Sequence, residues 1–373
     1  MRVNAGSQTK FSRILILFLA ILFFNSANIS AHDPDENSVV QTNEKDANHN
    51  KEDKIDITKI AFEHILDSHY WHFWGEGHDA VALPLPCIIY SSTKGLQFFS
   101  SSVFEHGHAE FNGYSLVNED IISSDPEEKV YDFSITKNVT QLLLSAIFIF
   151  WLFTSIAKSY KNTGITNAPK GKQSFFEPLI VFVRDDIAKI NIGSKSEKYL
   201  PYLLTIFFLI LINNVIGMLP FGANLTGNIA FTLVLSAITL LVTSFSGNKH
   251  YWAHIFWPPV PKALLWLMIP LEIIGIFTKP FSLMIRLFAN MSAGHIIVIS
   301  LVGLIFIFKT LWVSPVAVAF TLFIDVLECL VAFLQAYIFT MLTSLFIGSA
   351  VADHNEDGIH NADDDKAGAQ RLN

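Results

Sequence analysis

A few polar and charged side chains interrupt two apolar stretches in the last third of the chain. Arg286 lies between the sequences FSLMI and LFA, with no carboxylate within one helical turn on either side. A guanidinium group stays protonated at any accessible pH, and at the centre of a membrane span an arginine costs about 2.5–3.5 kcal/mol. Arg286 therefore needs a negative partner. The partner is either Glu272, Asp325 or Glu328 of the same chain, or a carboxylate of another subunit, and the second alternative is favoured.

Other polar residues accompany this arginine along the same segment. Ser282 and Asn290 lie four residues before and four residues after Arg286, so a helix places all three on one face. His295 follows Arg286 by nine residues, about half a turn round an ideal helix, and is expected to face elsewhere. The Arg286 face therefore forms a polar strip in an otherwise apolar helix.

The final apolar segment carries a matching set. Glu328 and Gln335 are seven residues apart and share a helix face, and Asp325 precedes Glu328 by three residues. A histidine and a glutamate can both change protonation near neutral pH when a site tunes them, whereas arginine cannot. One histidine, one or two carboxylates and an unpaired arginine in two apolar helices favour an ion pathway with a fixed electrostatic barrier.

The composition shows what kind of element must position these residues. The 373 residues are 51% hydrophobic and only 16% charged, and residues 199–348 contain only eight formal charges. A soluble domain averages about 25% charged residues, so a polytopic all-α membrane protein is expected. The net charge of −8 argues against nucleic acid as a partner. Two cysteines, Cys87 and Cys329, cannot form a disulfide framework or a four-thiolate zinc site.

Five apolar stretches are predicted to cross the membrane, and the last two are unusually long. A span needs about 20 residues, so residues 264–308 either cross twice or form one steeply tilted helix. An amphipathic segment, 174–192, is predicted to lie on the membrane surface. The five predicted spans are residues 139–157, 201–219, 228–245, 264–308 and 314–348.

The regions outside the spans predict the orientation. Residues 158–198 hold eight basic and four acidic residues and are placed in the cytoplasm by the positive-inside rule. Residues 1–31 are typical of a signal peptide with an unclear cleavage site, or alternatively of an uncleaved anchor. Residues 32–58 are predicted to be a disordered acidic linker, and residues 59–136 a small external module that contains short β-prone runs. Residues 351–373 are then an acidic cytoplasmic tail.

Histidines in the external module raise the alternative of a zinc or copper site. Their spacing matches no compact ligand motif, so neither a metal nor a cofactor is predicted, and the histidines are assigned to an aromatic-rich surface. The histidines concerned are His64, His69, His72, His78, His106 and His108.

The segments that carry these polar residues resemble a known family. PFSLMIRLFANMSAGH (280–295) closely resembles the signature of subunit a of F-type ATP synthases, and LECLVAFLQAYIFTML (327–342) resembles its last-helix motif. PLEIIGIFTKPFSL and EPLIVFVRDDIAKINIG (177–193) resemble further family segments in the expected order. The resemblance covers roughly residues 139–350, so residues 137–350 are assigned to the membrane domain.

The resemblance implies a fold and a function. Five spans are expected, the last two forming a long, tilted hairpin against a rotating ring of c subunits, so the tilted choice for 264–308 is favoured. Arg286 matches the arginine that meets the c-subunit carboxylate, with Asn290 and Gln335 beside it. His295 and Glu328 match the two positions lining an aqueous half-channel, in the opposite order from some bacterial members.

The prediction also includes further candidate residues, the membrane in which the chain lies and its partners. Ser282 is included in the proton pathway, with Glu272 and Asp325 as secondary candidates; Asp325 has no match in the family motif. The resemblance implies a non-catalytic proton-channel subunit of a bacterial inner membrane, with the c-ring, the stator subunit b, the translocated proton and lipid as partners. The alternative is a stand-alone secondary transporter or ion channel. Such proteins often contain internal repeats, and none is found in this sequence.

Overall fold

The computed structural model describes residues 67–74, 81–107, 109–117, 119–125, 128–163, 171–219, 222–258, 260–308 and 313–352. The predicted signal peptide, the acidic linker and nearly all of the acidic tail lie outside these residues. The chain divides into two compact units, and the long helices contribute to both. The first unit contains residues 1–155, 209–234 and 285–335, and the second contains residues 156–208, 235–284 and 336–373.

The extramembrane part of the first unit is a small β-module, as the short β-prone runs predicted. Its strands pair antiparallel in three small sheets, with the orders β1-β2, β4-β3-β7 and β5-β6. In the described residues the strands are β1 (Tyr70–Trp74), β2 (Val81–Pro84), β3 (Pro86–Ser91), β4 (Gly95–Ser100), β5 (Tyr114–Val117), β6 (Asp120–Ser123) and β7 (Val130–Asp132).

Alternating burial along β3 explains how the module folds. Cys87, Ile89 and Ser91 are buried, whereas the residues between them are more exposed. Successive side chains of a strand point to opposite faces, so β3 gives one face to the core and the other to the outside. Phe104, in the 3-10 turn Ser101–Gly107, and Tyr114 complete this core with almost no exposed surface.

The module is joined to the first long helix, α1 (Lys137–Thr163), by hydrogen bonds as well as by the chain. Asp67 accepts hydrogen bonds from the backbone N–H of Asn138 at 3.1 Å and from the Thr136 hydroxyl at 2.8 Å. The Lys137 N–H donates to the Ser68 carbonyl at 2.9 Å. The first turn of a helix has N–H groups without partners in the helix itself, and Asp67 and Ser68 supply those partners.

Six further helices of at least eight residues follow α1 in the described part of the chain. Five helical segments of the described chain are long and apolar enough to cross a membrane, which confirms the predicted number. The predicted surface segment 174–192 falls in α2 and an irregular helical stretch after it that includes a wide π-helical turn, Val183–Lys189. Its position on the membrane surface stays a prediction. The helices are α2 (Lys172–Phe182), α3 (Ser196–Gly217), α4 (Ile229–Ser246), α5 (Lys249–Phe256), α6 (Lys262–Phe308) and α7 (Val313–Val351).

The two last helices are the longest. α6 has 47 residues without interruption, so residues 264–308 form one helix and not two. At 1.5 Å per residue it is roughly 70 Å long, more than twice the roughly 30 Å of a hydrocarbon core. Pro270 and Pro280 lie inside α6 and do not end it. One crossing for this segment agrees with the structure, and its tilt in the membrane stays a prediction.

In the second unit, side chains and amides hold the end of α7. The Lys195 ammonium donates to the Val351 carbonyl at 3.0 Å, and the Asn248 N–H donates to the Ala350 carbonyl at 2.9 Å. A Cβ atom at Gly348 would lie 2.0 Å from the Asn191 carbonyl oxygen, so only glycine allows this approach. These contacts cap the last carbonyls of α7, which have no partners within the helix.

Candidate functional site

The C-terminal half of α6 and the N-terminal half of α7 meet in the first unit through polar side chains. The Asn290 side-chain amide donates a hydrogen bond to the side-chain oxygen of Gln335 at 3.1 Å. Gln335 is almost fully buried, whereas Asn290 is exposed on the outer side of the pair. The hydrogen bond therefore brings together two of the sequence-predicted residues and fixes the register of the two helices.

Four residues further along α6, a glycine receives the predicted carboxylate of α7. A Cβ atom at Gly294 would lie 2.7 Å from Glu328 Oε1 and 3.0 Å from Glu328 Cδ. The Glu328 carboxyl group thus packs directly against the α6 backbone, at the residue before His295. Sequence reasoning missed the role of Gly294. Its position in a small-residue stretch between Arg286 and His295 was the only available signal.

Glu328 is buried and not fully hydrogen-bonded. Its exposed fraction is 9%, and Oε1 has no hydrogen-bond partner among the residues that the structure describes. His295, next to the glycine that this carboxyl group contacts, is half-buried. A buried carboxyl group with an open oxygen is costly unless a proton or water meets it. This arrangement suits a group that gains and loses a proton.

Arg286 lies two helical turns before Gly294 on α6 and is half-buried. Within the described part of its unit it forms no ion pair, and neither Asp325 nor Glu328 lies within 4.0 Å of it. Asp325 is itself half-buried, one turn before Glu328. The expected alternative in which Arg286 pairs with one of these two carboxylates is not observed.

Two predicted residues belong to the second unit. Ser282 is exposed and Glu272 is half-buried, and both lie in the N-terminal half of α6. Ser282 precedes Arg286 by four residues on the same continuous helix, so the predicted shared face holds along α6.

Buried polar side chains from α1, α3 and the loop before α4 surround these helices in the first unit. The Asn214 amide donates to the Ala332 carbonyl of α7 at 3.2 Å, and the Ser292 hydroxyl of α6 donates to the Gly227 carbonyl at 3.3 Å. The Gln141 side chain bonds both backbone groups of Ala223, at 2.7 and 2.6 Å. Amides and hydroxyls hydrogen-bond across helices in membranes. Asn214 thus ties α7 to α3, Ser292 ties α6 to the loop before α4, and Gln141 ties that loop to α1. The prediction from sequence did not include them.

α6 and α7 are much less covered by the rest of the chain than α3 is. In their most apolar stretches 22% and 11% of the residues are buried, compared with 61% in the segment Lys172–Gly217. The helices with the candidate residues therefore leave wide apolar surfaces open.

The histidines of the β-module give no metal site in the described residues. His69 Nε2 lies 2.8 Å from an Asp132 carboxylate oxygen, and the backbone N–H of His69 donates to a Glu119 carboxylate oxygen at 3.2 Å. Burial lowers the pKa of His69, but Asp132 and the other carboxylates outweigh it and raise the pKa overall. No group of three potential ligands occurs in the part of the chain that the structure describes. His64, His78 and His108 lie outside that part.

Comparisons with known proteins identify the family. The family model described as ATP synthase A chain matches residues 139–348, more than half of the chain. A second model, described as Domain of unknown function (DUF8433), matches residues 60–142 and so covers the β-module.

Curated relatives extend this match. The ATP synthase subunit a of Chloroherpeton thalassium is 49% identical over 235 residues, which cover 61% of this chain and 70% of the relative. The ATP synthase subunit a of Chlorobium phaeobacteroides strain BS1 is 43% identical over 278 residues, which cover 69% of this chain and 82% of the relative. The chain therefore belongs to the ATP synthase A chain family, the multi-pass membrane subunit a of F-type ATP synthases.

Proposed function

We propose that the chain is the proton-translocating stator subunit of the Fo sector, in which Arg286 faces the carboxylates of the c-ring between two aqueous half-channels. The observation that carries the proposal is the half-buried Arg286, which has no ion pair within the described part of its unit. Because a guanidinium cannot neutralise itself by losing a proton, the missing negative charge is expected to come from another subunit.

Protons enter from the outside through a half-channel lined by His295 and Glu328. Glu328 supports this role because it is buried and keeps one oxygen without a partner among the described residues. Gly294 leaves the space in which this carboxyl group lies against α6. A proton that reaches Glu328 passes to the c-ring carboxylate, which becomes neutral and can then face lipid.

After almost a full rotation the carboxylate reaches Arg286, releases its proton to the cytoplasmic half-channel and is held briefly as an ion pair. The fixed positive charge also prevents protons from passing directly between the half-channels. Asn290 and Gln335 support this step, because their hydrogen bond keeps α6 and α7 in register beside the arginine. Ser282 extends the polar face of α6, and Asp325 and Glu272 are secondary candidates.

The open apolar surfaces of α6 and α7 support a large partner in the membrane. So few of their residues are buried within the chain that lipid or other subunits must cover them. A c-ring on this side fits the proposal, and subunit b is the expected stator partner elsewhere. Each proton contributes about 2.3 kcal/mol per 100 mV, so several protons pass for each ATP made by the soluble part.

The chain itself holds no catalytic site for ATP in this proposal. It lies in the bacterial inner membrane with the β-module in the periplasm and the C-terminus in the cytoplasm. The orientation rests on the basic residues of the 158–198 segment.

Arg286→Ala tests the proposal in inverted membrane vesicles that contain the whole complex. We expect ATP-driven proton pumping to be abolished, because no fixed positive charge then makes the c-ring carboxyl group release its proton. Passive proton leak through Fo without its soluble part should rise. Arg184→Ala is the matched control, since Arg184 is a half-buried arginine that pairs with Asp185 at 2.7 Å. Full pumping by Arg286→Ala would contradict the proposal.

The second candidate function, a stand-alone transporter or channel, makes a different prediction. The purified chain alone would then carry protons across liposome membranes as fast as membranes that contain the whole complex do, without a ring of small subunits. We expect the chain to co-purify with such a ring and to be inactive without it.

A further inference from the structure

We propose that one face of the sheet β4-β3-β7 lies on the lipid surface beside the start of α1. This aromatic face consists of Ile88, Tyr90, Leu96, Phe98, Tyr131 and Phe133. The partner is thus the interfacial layer of the bilayer and not a protein. The inference concerns the β-module and does not depend on the proton pathway.

The aromatic face is apolar and open. Phe98 is 68% exposed, Leu96 56%, Tyr90 47% and Phe133 39%, although large apolar side chains normally avoid water in groups. The alternation of β3 sends Cys87 and Ile89 to the core on the other side of the sheet. The core therefore cannot absorb the aromatic face, and another surface must cover it.

The strand register arranges the face in two rows. In the first row Ile88 pairs with Phe98, and the Phe133 N–H donates to the Ile88 carbonyl at 2.8 Å. In the second row Tyr90 pairs with both Leu96 and Tyr131. The first row is nearer to α1, because the chain runs from Phe133 directly to the helix.

The order of side chains away from α1 is apolar, then phenolic, then basic. The first row contains only phenylalanine and isoleucine, and the second contains two tyrosines. Beyond it lies the exposed Lys129, whereas the Lys94 ammonium is held on the core side, where it donates to the Asn112 carbonyl at 2.8 Å and lies 4.5 Å from the centre of the Tyr114 ring. Tyrosines concentrate at the level of the lipid headgroups, and lysines extend towards phosphate. This gradient matches the depth profile of a membrane interface, whereas a protein partner would require no such order.

The connection to α1 keeps the face near the membrane. Phe133 lies four residues before Lys137, and four extended residues reach at most about 14 Å. The Ile135 N–H donates to the Pro86 carbonyl at 3.1 Å, so the linker continues the sheet towards the helix. Asp67 and Ser68 bond the first turn of α1 and prevent the module from swinging freely.

The size of the face also favours lipid. A stable protein–protein interface uses about 20–30 residues on each side, and this face offers six. Insertion into an interface needs no such area, because the adjacent span already anchors the chain in the bilayer.

Spin-label accessibility tests the inference on the full chain in phosphatidylethanolamine–phosphatidylglycerol nanodiscs. Cys329→Ser removes the exposed cysteine, and Cys87 is buried and left in place. A nitroxide is attached at Phe98→Cys, and at Ser92→Cys as the control on the exposed turn beyond the second row. We expect the ratio of oxygen to nickel-chelate accessibility to be several-fold higher at position 98 than at position 92.

Two outcomes would overturn the inference. Equal ratios at both positions would show that the aromatic face is in water. Exclusion of both reagents from position 98 would show that another part of the chain, and not lipid, covers it. If the label at position 98 disturbs the sheet, the nitroxide is attached at Phe133→Cys instead. The expected result and the contrary results are then the same as for position 98.

Discussion

Two buried glutamates, one in the β-module and one in the membrane, are treated in opposite ways. Glu128 has a side chain only 3% exposed and is surrounded by hydrogen-bond donors. Glu328 is comparably buried, yet one oxygen has no partner among the described residues. The same chemical group is therefore satisfied in one region and left open in the other.

The donors around Glu128 belong to the module alone. The Ser123 hydroxyl donates at 2.6 Å and the Tyr114 hydroxyl at 2.9 Å, and Ser91 and Thr93 also donate. These hydrogen bonds, with that of Ser123 the largest, lower the pKa of Glu128 from 4.5 to about 2. Glu128 thus stays charged and links β3 to the β5-β6 hairpin.

The difference in hydrogen bonding distinguishes a carboxylate with a structural role from a carboxyl group suited to proton exchange. A carboxylate that accepts several hydrogen bonds holds its charge and stabilises a fold, but it cannot exchange protons near neutral pH. A buried carboxyl group with an open oxygen stabilises little and remains available to a proton. The following predictions, in order of expected effect, test this division.

Replacing the open carboxyl group should have the largest effect on transport. Glu328→Gln keeps the shape but cannot carry a proton, so we expect ATP-driven pumping to fall about 10²-fold, the usual contribution of a general acid or base. Asp325→Asn, one turn away, should have a clearly smaller effect. Fluorescence quenching in inverted vesicles measures both. Equal losses in the two variants would remove the special role of Glu328.

Filling the space beside Glu328 should have the next largest effect. In Gly294→Ala the new Cβ would lie 2.7 Å from Glu328 Oε1, so the carboxyl group must move. We expect pumping to fall roughly tenfold, since displacements of about 1 Å can cost up to 10²-fold. Combination with Glu328→Asp, which shortens the side chain, should restore part of the activity.

The chain offers a matched control for this substitution. Gly275 lies on the same helix, and a Cβ there meets no atom within 4 Å. Gly275→Ala should pump normally. Loss of activity in both variants would point to a general effect on α6.

Replacing the satisfied glutamate should affect stability and spare transport. In Glu128→Gln several hydroxyl donors lose a charged acceptor, which we expect to cost about 1–3 kcal/mol in the stability of the β-module. Hydrogen exchange of the β5 and β6 amides in the full chain measures the loss. Glu110→Gln, at an exposed position, is the control and should change nothing. A pumping defect in Glu128→Gln would contradict the assignment of a structural role to Glu128 and a transport role to Glu328.

The smallest expected effect is a dependence of module stability on pH. Since folding lowers the pKa of Glu128, its stabilising effect is complete above the unfolded value of 4.5 and is lost as the pH falls towards 2. Amide protection in β5 and β6 should therefore decrease between pH 5 and pH 3 more steeply in the natural chain than in Glu128→Gln. Identical pH profiles would show that Glu128 does not cause the effect.

The sequence predicted the membrane part better than the module. Apolar runs of sufficient length indicate spans directly, and the polar exceptions in them drew attention to Arg286, His295 and Glu328. Boundaries were less certain: the span predicted to begin at Pro201 belongs to a helix that begins at Ser196. Pro201 lies inside this helix, so the proline does not mark its start and the polar residues before it join the helix.

Contacts across helices could not be predicted in this way. The fit of Glu328 against Gly294 depends on the register of α6 and α7, which residue types alone do not determine. The strands of the module are three to six residues long, and β3 pairs with the distant strand β7, with Ile89 opposite Asp132, which no local pattern reveals. Glu128 consequently gave no signal, since one glutamate among several acidic residues of a polar stretch is ordinary.

The bond from Asp67 to the first turn of α1 has a consequence for biogenesis. The capping carboxylate of Asp67 precedes the amide that donates to it, that of Asn138, by 71 residues, so it leaves the ribosome before the helix it completes. A variant shortened to begin at Lys137 would retain every residue of the proposed proton pathway. The backbone N–H groups in the first turn of its first span would, however, lose their hydrogen-bond partners Asp67 and Ser68. The extension thus provides, ahead of the membrane domain, the hydrogen-bond partners that the first turn of α1 lacks within its own helix.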